Sequence, residues 1–236
     1  MSIVTAYWAG FFDCISSELF AEPARFNGHV GEMEGYWGAW ALFREGSAMI
    51  SLPPDSEALI SSLLTTRTIE EFAAALKPVT ERTIGPAYVG YAASLSGGSD
   101  LARSLTPADA AALDQLQGAC DETDWDHGGG SIDQPCSGVF IDGRLAALAG
   151  YEIWGGTIAH LSVVTHPAFR GKGHGRDAVA HLAERAIEAG LLPQYRTLES
   201  NLASIQIARA LGFEHYASSM AVRFTTPSRR TPVAGG

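Results

Sequence analysis

Apolar and polar positions alternate along this chain in two rhythms, one of short strands and one of amphipathic helices. Tyr36 to Leu42 and Ala48 to Leu52 are aromatic and β-branched runs joined through Glu45-Gly46-Ser47, which predicts a hairpin. Pro53-Pro54-Asp55 stops the second strand, Ser56 to Leu64 and Ile69 to Leu76 carry helical spacing, and Ala87 to Ala92 reads as a strand again. The small polar run Ser94 to Asp100 then reads as a linker or long turn. Beyond it, Leu101 to Leu105 predicts a short strand, and Thr106-Pro107 starts a helix that runs to Gly118. Gly138 to Ile141 and Leu145 to Ile153 flank Asp142-Gly143, a strong hairpin signal. Gly155-Gly156 turns the chain into a third strand, Ile158 to Val164.

That third strand runs into Thr165-His166-Pro167-Ala168-Phe169-Arg170-Gly171-Lys172-Gly173-His174-Gly175, and a long helix follows at once. Val179, Leu182, Ala183, Ala186 and Ile187 share one face of the helix, and Gly190 closes it. Strand, glycine loop and helix N-terminus together predict an anion site. Glycines let backbone N–H groups approach a phosphate without Cβ interference, and the helix dipole adds about half a positive charge there. Arg170 and Lys172 strengthen it. A Walker loop needs a hydroxyl after its lysine, whereas Gly173 follows Lys172. The dinucleotide fingerprint needs GxGxxG after the first strand of a βαβ unit, whereas these glycines are spaced GxGxG after an antiparallel meander.

Composition narrows the partners. The 236 residues are 46% hydrophobic and 18% charged, a globular balance. A formal charge of -10 argues against a nucleic acid or an anionic membrane as partner. Three cysteines without CxxC spacing predict neither a disulfide framework nor a zinc site, and no metal is expected. No basic leader opens the chain and no run of about 20 apolar residues occurs, so a cytoplasmic protein is expected.

The remaining reading of the loop is Arg-x-x-Gly-x-Gly, met by Arg170, Gly173 and Gly175. A second block agrees: a strand at Tyr195 to Glu199, a helix capped at Ser200-Asn201 and carrying Ile205, Ile207, Ala208 and Leu211, and a Gly212-Phe213 stop. Over residues of about 99 to 224 the chain resembles the GCN5-related N-acetyltransferase (GNAT) superfamily. The resemblance implies an α/β (α+β) fold, with a mixed, mostly antiparallel sheet flanked by helices. It also implies acetyl-CoA as cofactor. Val163, Val164 and Thr165 would lie along the pantetheine arm, and Arg170, Gly171, Lys172, Gly173, His174 and Gly175 around the pyrophosphate. Asn201 and Ser204 would face the cofactor side. Many family members place a Tyr four residues before the Gly-Phe pair as acid for the thiolate, and this chain has Ala208 there.

Acetyl transfer needs a base. His160 shares a strand face with Ser162, and its ordinary pKa suits neutral pH. Glu152 and Glu199 are the rival carboxylates. The stretch Asp121 to His127 reads as an acidic loop with Trp125 beside four carboxylates, suited to attracting a cationic amine or simply solvated. Trp8, Tyr36, Trp37 and Trp40 are expected in the core of the N-terminal part. The organisation expected is an N-terminal α+β domain at 1–98, a possible degenerate acetyltransferase-like half, an acetyltransferase domain at 99–226 and a disordered tail at 227–236. The activity expected is transfer of acetyl from acetyl-CoA to a primary amine of a small molecule or peptide, in a possible homodimer. A non-catalytic acyl-CoA binding or sensing protein is the alternative.

Overall fold

The structure, a computed structural model, describes residues 2–98 and 100–225; the tail expected at 227–236 lies outside them. Along the chain run α1 (Ile3–Phe11), β1 (Ala24–Gly28), β2 (Gly38–Arg44), β3 (Ser47–Leu52), α2 (Glu57–Leu63), α3 (Ile69–Leu76) and β4 (Thr80–Tyr91). Then follow β5 (Ala102–Ser104), α4 (Ala110–Ala119), α5 (Glu122–Gly128), β6 (Cys136–Ile141), β7 (Arg144–Trp154) and β8 (Ile158–Thr165). The last elements are α6 (His174–Glu188), β9 (Leu192–Leu198), α7 (Leu202–Ala210) and β10 (Glu214–Phe224). These elements divide between two compact units, and the chain passes from one to the other within α1, β4 and β10.

One unit comprises Trp8–Pro86 and, of the described residues, 218–225. Its strand order is β1-β3-β2-β10, antiparallel except for the parallel pair β1 and β3. The hairpin between β2 and β3 turns at Glu45 and Gly46, both at positive φ. Thr68 caps α3 by accepting from the Glu71 amide, and Glu71 answers from its own side chain, a capping box that fixes the helix start. That start points Phe72 and Leu76 inward, where Phe72 meets Phe43 edge-on at 5.6 Å among Ile50, Leu63 and Val222. Trp8 stacks on Trp40 at 5.5 Å, both buried in this unit as expected, whereas Trp37 is 41% exposed.

The other unit comprises residues 2–7 and Ala87–Ala217. Its strand order is β4-β9-β8-β7-β6-β5, a mixed and mostly antiparallel sheet in which β8 and β9 are parallel. Helix α6 lays Val179, Leu182, Ala183 and Ala186 on the sheet face that carries Ala147, Ala149, Tyr151 and Leu161. Leu113 and Leu116 of α4 cover the opposite face at Leu145, Leu148 and Val164. Each such leucine contributes roughly 1.5–3 kcal/mol by leaving water. Alanines dominate the α6 seam because their small Cβ atoms let helix and sheet approach closely, which holds the helix N-terminus against the end of β8.

Candidate active site

Strands β8 and β9 pair only from Ile158↔Leu192 to Leu161↔Tyr195, although β8 continues to Thr165 and β9 to Leu198. On its other side β8 stays paired with β7 to its end, and the His166 amide donates to the Ala146 carbonyl. By the alternation of an antiparallel ladder, the main-chain groups of Ser162 and Val164 turn to β7 and those of Val163 and Thr165 turn toward the gap. The Val164 side chain is buried against Leu116 and Leu148. Val164 therefore turns no main-chain group to the gap, while its two neighbours do.

The glycine loop begins where the gap opens. Pro167–Phe169 makes one 3-10 turn, with His166 Nδ1 accepting from the Ala168 amide, so His166 shapes the loop. Gly171 and Gly173 have φ of 75° and 86°, a region that L side chains avoid, and Gly173 is the N-cap of α6. Gly175 is buried in the first turn of α6, where an added Cβ would lie 2.8 Å from Thr165 Oγ1, 3.5 Å from Val163 and 3.6 Å from Ile207. Helix α6, the end of β8 and α7 thus converge on a position only glycine fits. The first amides of α6 have no carbonyl one turn earlier to accept them, which is the donor set that a diphosphate needs. The His174 Nδ1 atom is buried and without a hydrogen-bond partner among the described residues. Lys172 lies over the Phe169 ring at 5.6 Å.

Arg170 is anchored on both sides. Its Nε donates to the Thr165 carbonyl at 3.2 Å, and its Nη2 is bonded to Asp124 Oδ2 on α5. The acidic stretch is therefore helical, not a loop. Asp121 caps α5 by accepting from the Asp124 amide at 2.8 Å. With Asp121 and Asp124 so engaged, two of the four carboxylates already have a role within the chain. Helix α5 ends at Gly128, which lies so close to the Val163 carbonyl that any side chain there would collide with it. Ser162 Oγ donates to the Gly129 carbonyl, fixing this end of α5 beside the gap. Trp125 packs on the core beneath α5.

On the same sheet face, Glu152 and His160 are direct neighbours across β7 and β8. His160 stacks on Trp154 at 3.7 Å and bonds through Nδ1 to Gln194 Oε1 at 2.8 Å. The Gln194 amide nitrogen donates to Tyr91 Oη, so its oxygen is the acceptor and His160 carries its proton on Nδ1. Burial pushes the His160 pKa down to about 4, outweighing the Gln194 bond and the Glu152 charge that raise it. Glu199 lies just past β9, half-buried, at the open end of the gap. Asn201 Oδ1 caps α7 by accepting from the Ser204 amide, and Ser204 Oγ meets Tyr195 Oη at 2.8 Å. Ala208, where many relatives of the expected family carry Tyr, is buried. Cys136 is buried, and burial pushes its thiol up, which makes it inert.

The structure thus gathers the loop residues Arg170 to Gly175 with Val163, Thr165 and Ser204 around one gap, and leaves Val164 outside it. Gln194 and Tyr195 were not singled out by the sequence, and Asp124 was read only as one of four carboxylates in an acidic loop. Gln194 had a signal, a polar side chain on the inward face of a strand. The bond of Asp124 to Arg170 had none, because the two lie 46 positions apart.

The model of the acetyltransferase (GNAT) family matches residues 103–213. These residues form a GNAT acetyltransferase domain. Among solved structures, an acetyltransferase of the GNAT family from Novosphingobium aromaticivorans is similar at 24% identity and TM-score 0.50, over 62% of this chain and 67% of that one. A GNAT-family acetyltransferase from Colwellia psychrerythraea is similar at 13% identity and TM-score 0.51, over 80% of this chain and 81% of that one. At these identities both likenesses concern the fold. No curated protein matches the sequence. The segment ahead of the GNAT domain has no family assignment. Among the described residues no helix is long and apolar enough to cross a membrane, and no group of three or more His, Cys, Asp or Glu side chains could hold a metal ion.

Proposed function

We propose that this GNAT domain transfers the acetyl group of acetyl-CoA to a primary amine by direct attack. The observation that carries the proposal is the parting of β8 from β9 at Leu161↔Tyr195, directly before a glycine loop that caps α6. The residues present fit the cofactor. Val163 and Thr165 turn backbone groups into the gap as partners for an extended amide-bearing arm, and the first turn of α6 presents N–H groups at the glycine position that a Cβ would fill. Arg170 and Lys172 add positive charge beside them.

Acetyl-CoA, when bound, supplies an activated acyl carbon and a thiol leaving group. The protein's part is to place an amine against that carbon, since orientation alone accounts for a large share of the rate. His160, neutral above its lowered pKa and with its proton fixed on Nδ1, keeps Nε2 as an acceptor to orient the attacking amine. The carboxylate of Glu152, directly across the ladder from His160, is the group placed to receive the amine's proton, with Glu199 the second candidate. Exposed Glu122 and Asp126 on α5 favour a cationic acceptor, a small amine or a peptide N-terminus.

The test is thiol release from acetyl-CoA against a panel of amines and peptides. Turnover with any acceptor, reduced at least tenfold in Glu152→Gln, supports the assignment. Tight CoA binding without turnover would instead indicate an acyl-CoA sensor.

A further inference from the structure

The departing sulfur needs a hydrogen-bond donor, and Ala208 cannot be one. A donor does stand in the gap. Ser204 occupies the first turn of α7, one turn before Ile207, the residue that approaches Gly175 and Val163 at the end of β8. Positions three apart share a helix face, so the half-buried Ser204 hydroxyl looks toward the same gap. Behind it, Tyr195 ends the β8–β9 pairing and is 3% exposed, with its ring against Phe213 and its Oη 2.8 Å from Ser204 Oγ.

The direction of that bond follows from what each partner can do. A buried phenol must place its proton, and among the described residues Ser204 Oγ is the acceptor within reach of Tyr195 Oη. Burial pushes the Tyr195 pKa up to about 12, so the phenol keeps its proton across the neutral range. Tyr195 therefore donates and Ser204 accepts. Among the described residues the Ser204 hydroxyl has no hydrogen-bond partner but Tyr195 Oη, so its own proton is left for a ligand.

We infer that Tyr195 is a positioning residue: by donating to Ser204 Oγ it turns the serine's own O–H into the gap between β8 and α7, toward the sulfur of the leaving thiol. The inference rests on the acetyl-transfer reading. In the step, the amine lone pair forms the C–N bond, and the C–S bond breaks with its electrons going to sulfur. The proton lost by the amine nitrogen ends on that sulfur as free thiol. Ser204 stabilises the thiolate by a hydrogen bond and is not consumed; neither oxidation nor a further reactant is involved.

The experiment titrates the thiol of CoA bound to the full chain, by its thiolate absorbance, in the native protein, Tyr195→Phe, Ser204→Ala and the double variant. A donated bond to the charged form lowers the bound thiol's pKa below that of free CoA by about one to two units. Tyr195→Phe and Ser204→Ala each abolish most of that shift, and the double variant abolishes no more than Ser204→Ala alone, because Tyr195 acts through Ser204. In acetyl transfer, Tyr195→Phe lowers kcat about tenfold and leaves KM for acetyl-CoA within twofold. A thiol pKa equal in the native protein and Tyr195→Phe, or additive effects in the double variant, overturns the positioning role while leaving acetyl transfer intact. Failure of CoA to bind the native protein overturns both readings. Thermal unfolding of each variant confirms that the fold is retained, and a Tyr195→Phe change confined to stability counts against the inference.

Discussion

Asp124 of α5 holds the guanidinium of Arg170 in the glycine loop, and the same guanidinium donates to the Thr165 carbonyl at the mouth of the gap. The acidic helix and the glycine loop thus share one cation. A phosphate arriving at the loop must share Arg170 with a carboxylate already bonded to it.

Asp124→Asn should therefore tighten CoA binding. The pair is half-exposed, and such pairs contribute about 0.2–1 kcal/mol, which sets the gain at roughly 1.4- to fivefold. Calorimetric titration at low salt measures it. Near 1 M salt the difference should vanish, as the screening length falls to about 3 Å. Unchanged or weaker binding at low salt would mean that Arg170 does not meet the phosphates.

Gly173 and Gly156 give a matched pair of tests. Both have positive φ, 86° and 69°, and an alanine at either position is strained by roughly 1–2 kcal/mol. Gly156 lies in the turn between β7 and β8, with nothing within 4 Å of an added Cβ. Gly173 caps α6 in the loop. Both substitutions should lower the melting temperature similarly, and only Gly173→Ala should weaken CoA binding, by more than tenfold. Equal CoA affinity in the two variants would sink the loop assignment.

What the sequence made legible follows from where each signal is local. The hairpins at Gly46 and Gly143, helix α3 and the glycine loop each depend on residues within about four positions of one another. Helix α5 was hidden because its turn is written in charges, Glu122-Thr123-Asp124-Trp125-Asp126, with one large apolar side chain and no repeat to mark a face. Strand β1 was hidden for a similar reason: Arg25 and Asn27 interrupt it, and it forms by parallel pairing with β3, a long-range contact. At the site, the Arg-x-x-Gly-x-Gly loop was readable. The fine chemistry was not, because Gln194, Tyr91 and Tyr195 reach His160 and Ser204 only after the strands are aligned.

Gln194→Leu should expose how much of that chemistry depends on one amide. The side chain is fully buried and accepts from His160 Nδ1. Leucine leaves that N–H without its acceptor, at a cost of roughly 1–3 kcal/mol. Denaturant unfolding reads the loss. In a His160→Leu background the same change should cost less than half as much, and equal costs in both backgrounds would show that the bond contributes little.

The pKa of His160 supplies the last test, and its sign is fixed by burial. The unfolded chain binds the His160 proton near pH 6.5, whereas the folded protein binds it only near pH 4. Between these values the unfolded state holds more protons, so stability falls as the pH is lowered through this window and recovers above it. A gap of about 2.5 pH units corresponds to up to roughly 3 kcal/mol. His160→Gln removes this dependence. Its unfolding free energy should change less than that of the native protein between pH 7 and pH 4.5, a difference that denaturant titration at the two pH values resolves. In catalysis, an acidic limb arising from His160 belongs near pH 4. A limb near pH 6.5 that disappears in His160→Gln would show that the imidazole is solvated during turnover, and that it, not Glu152, removes the amine's proton.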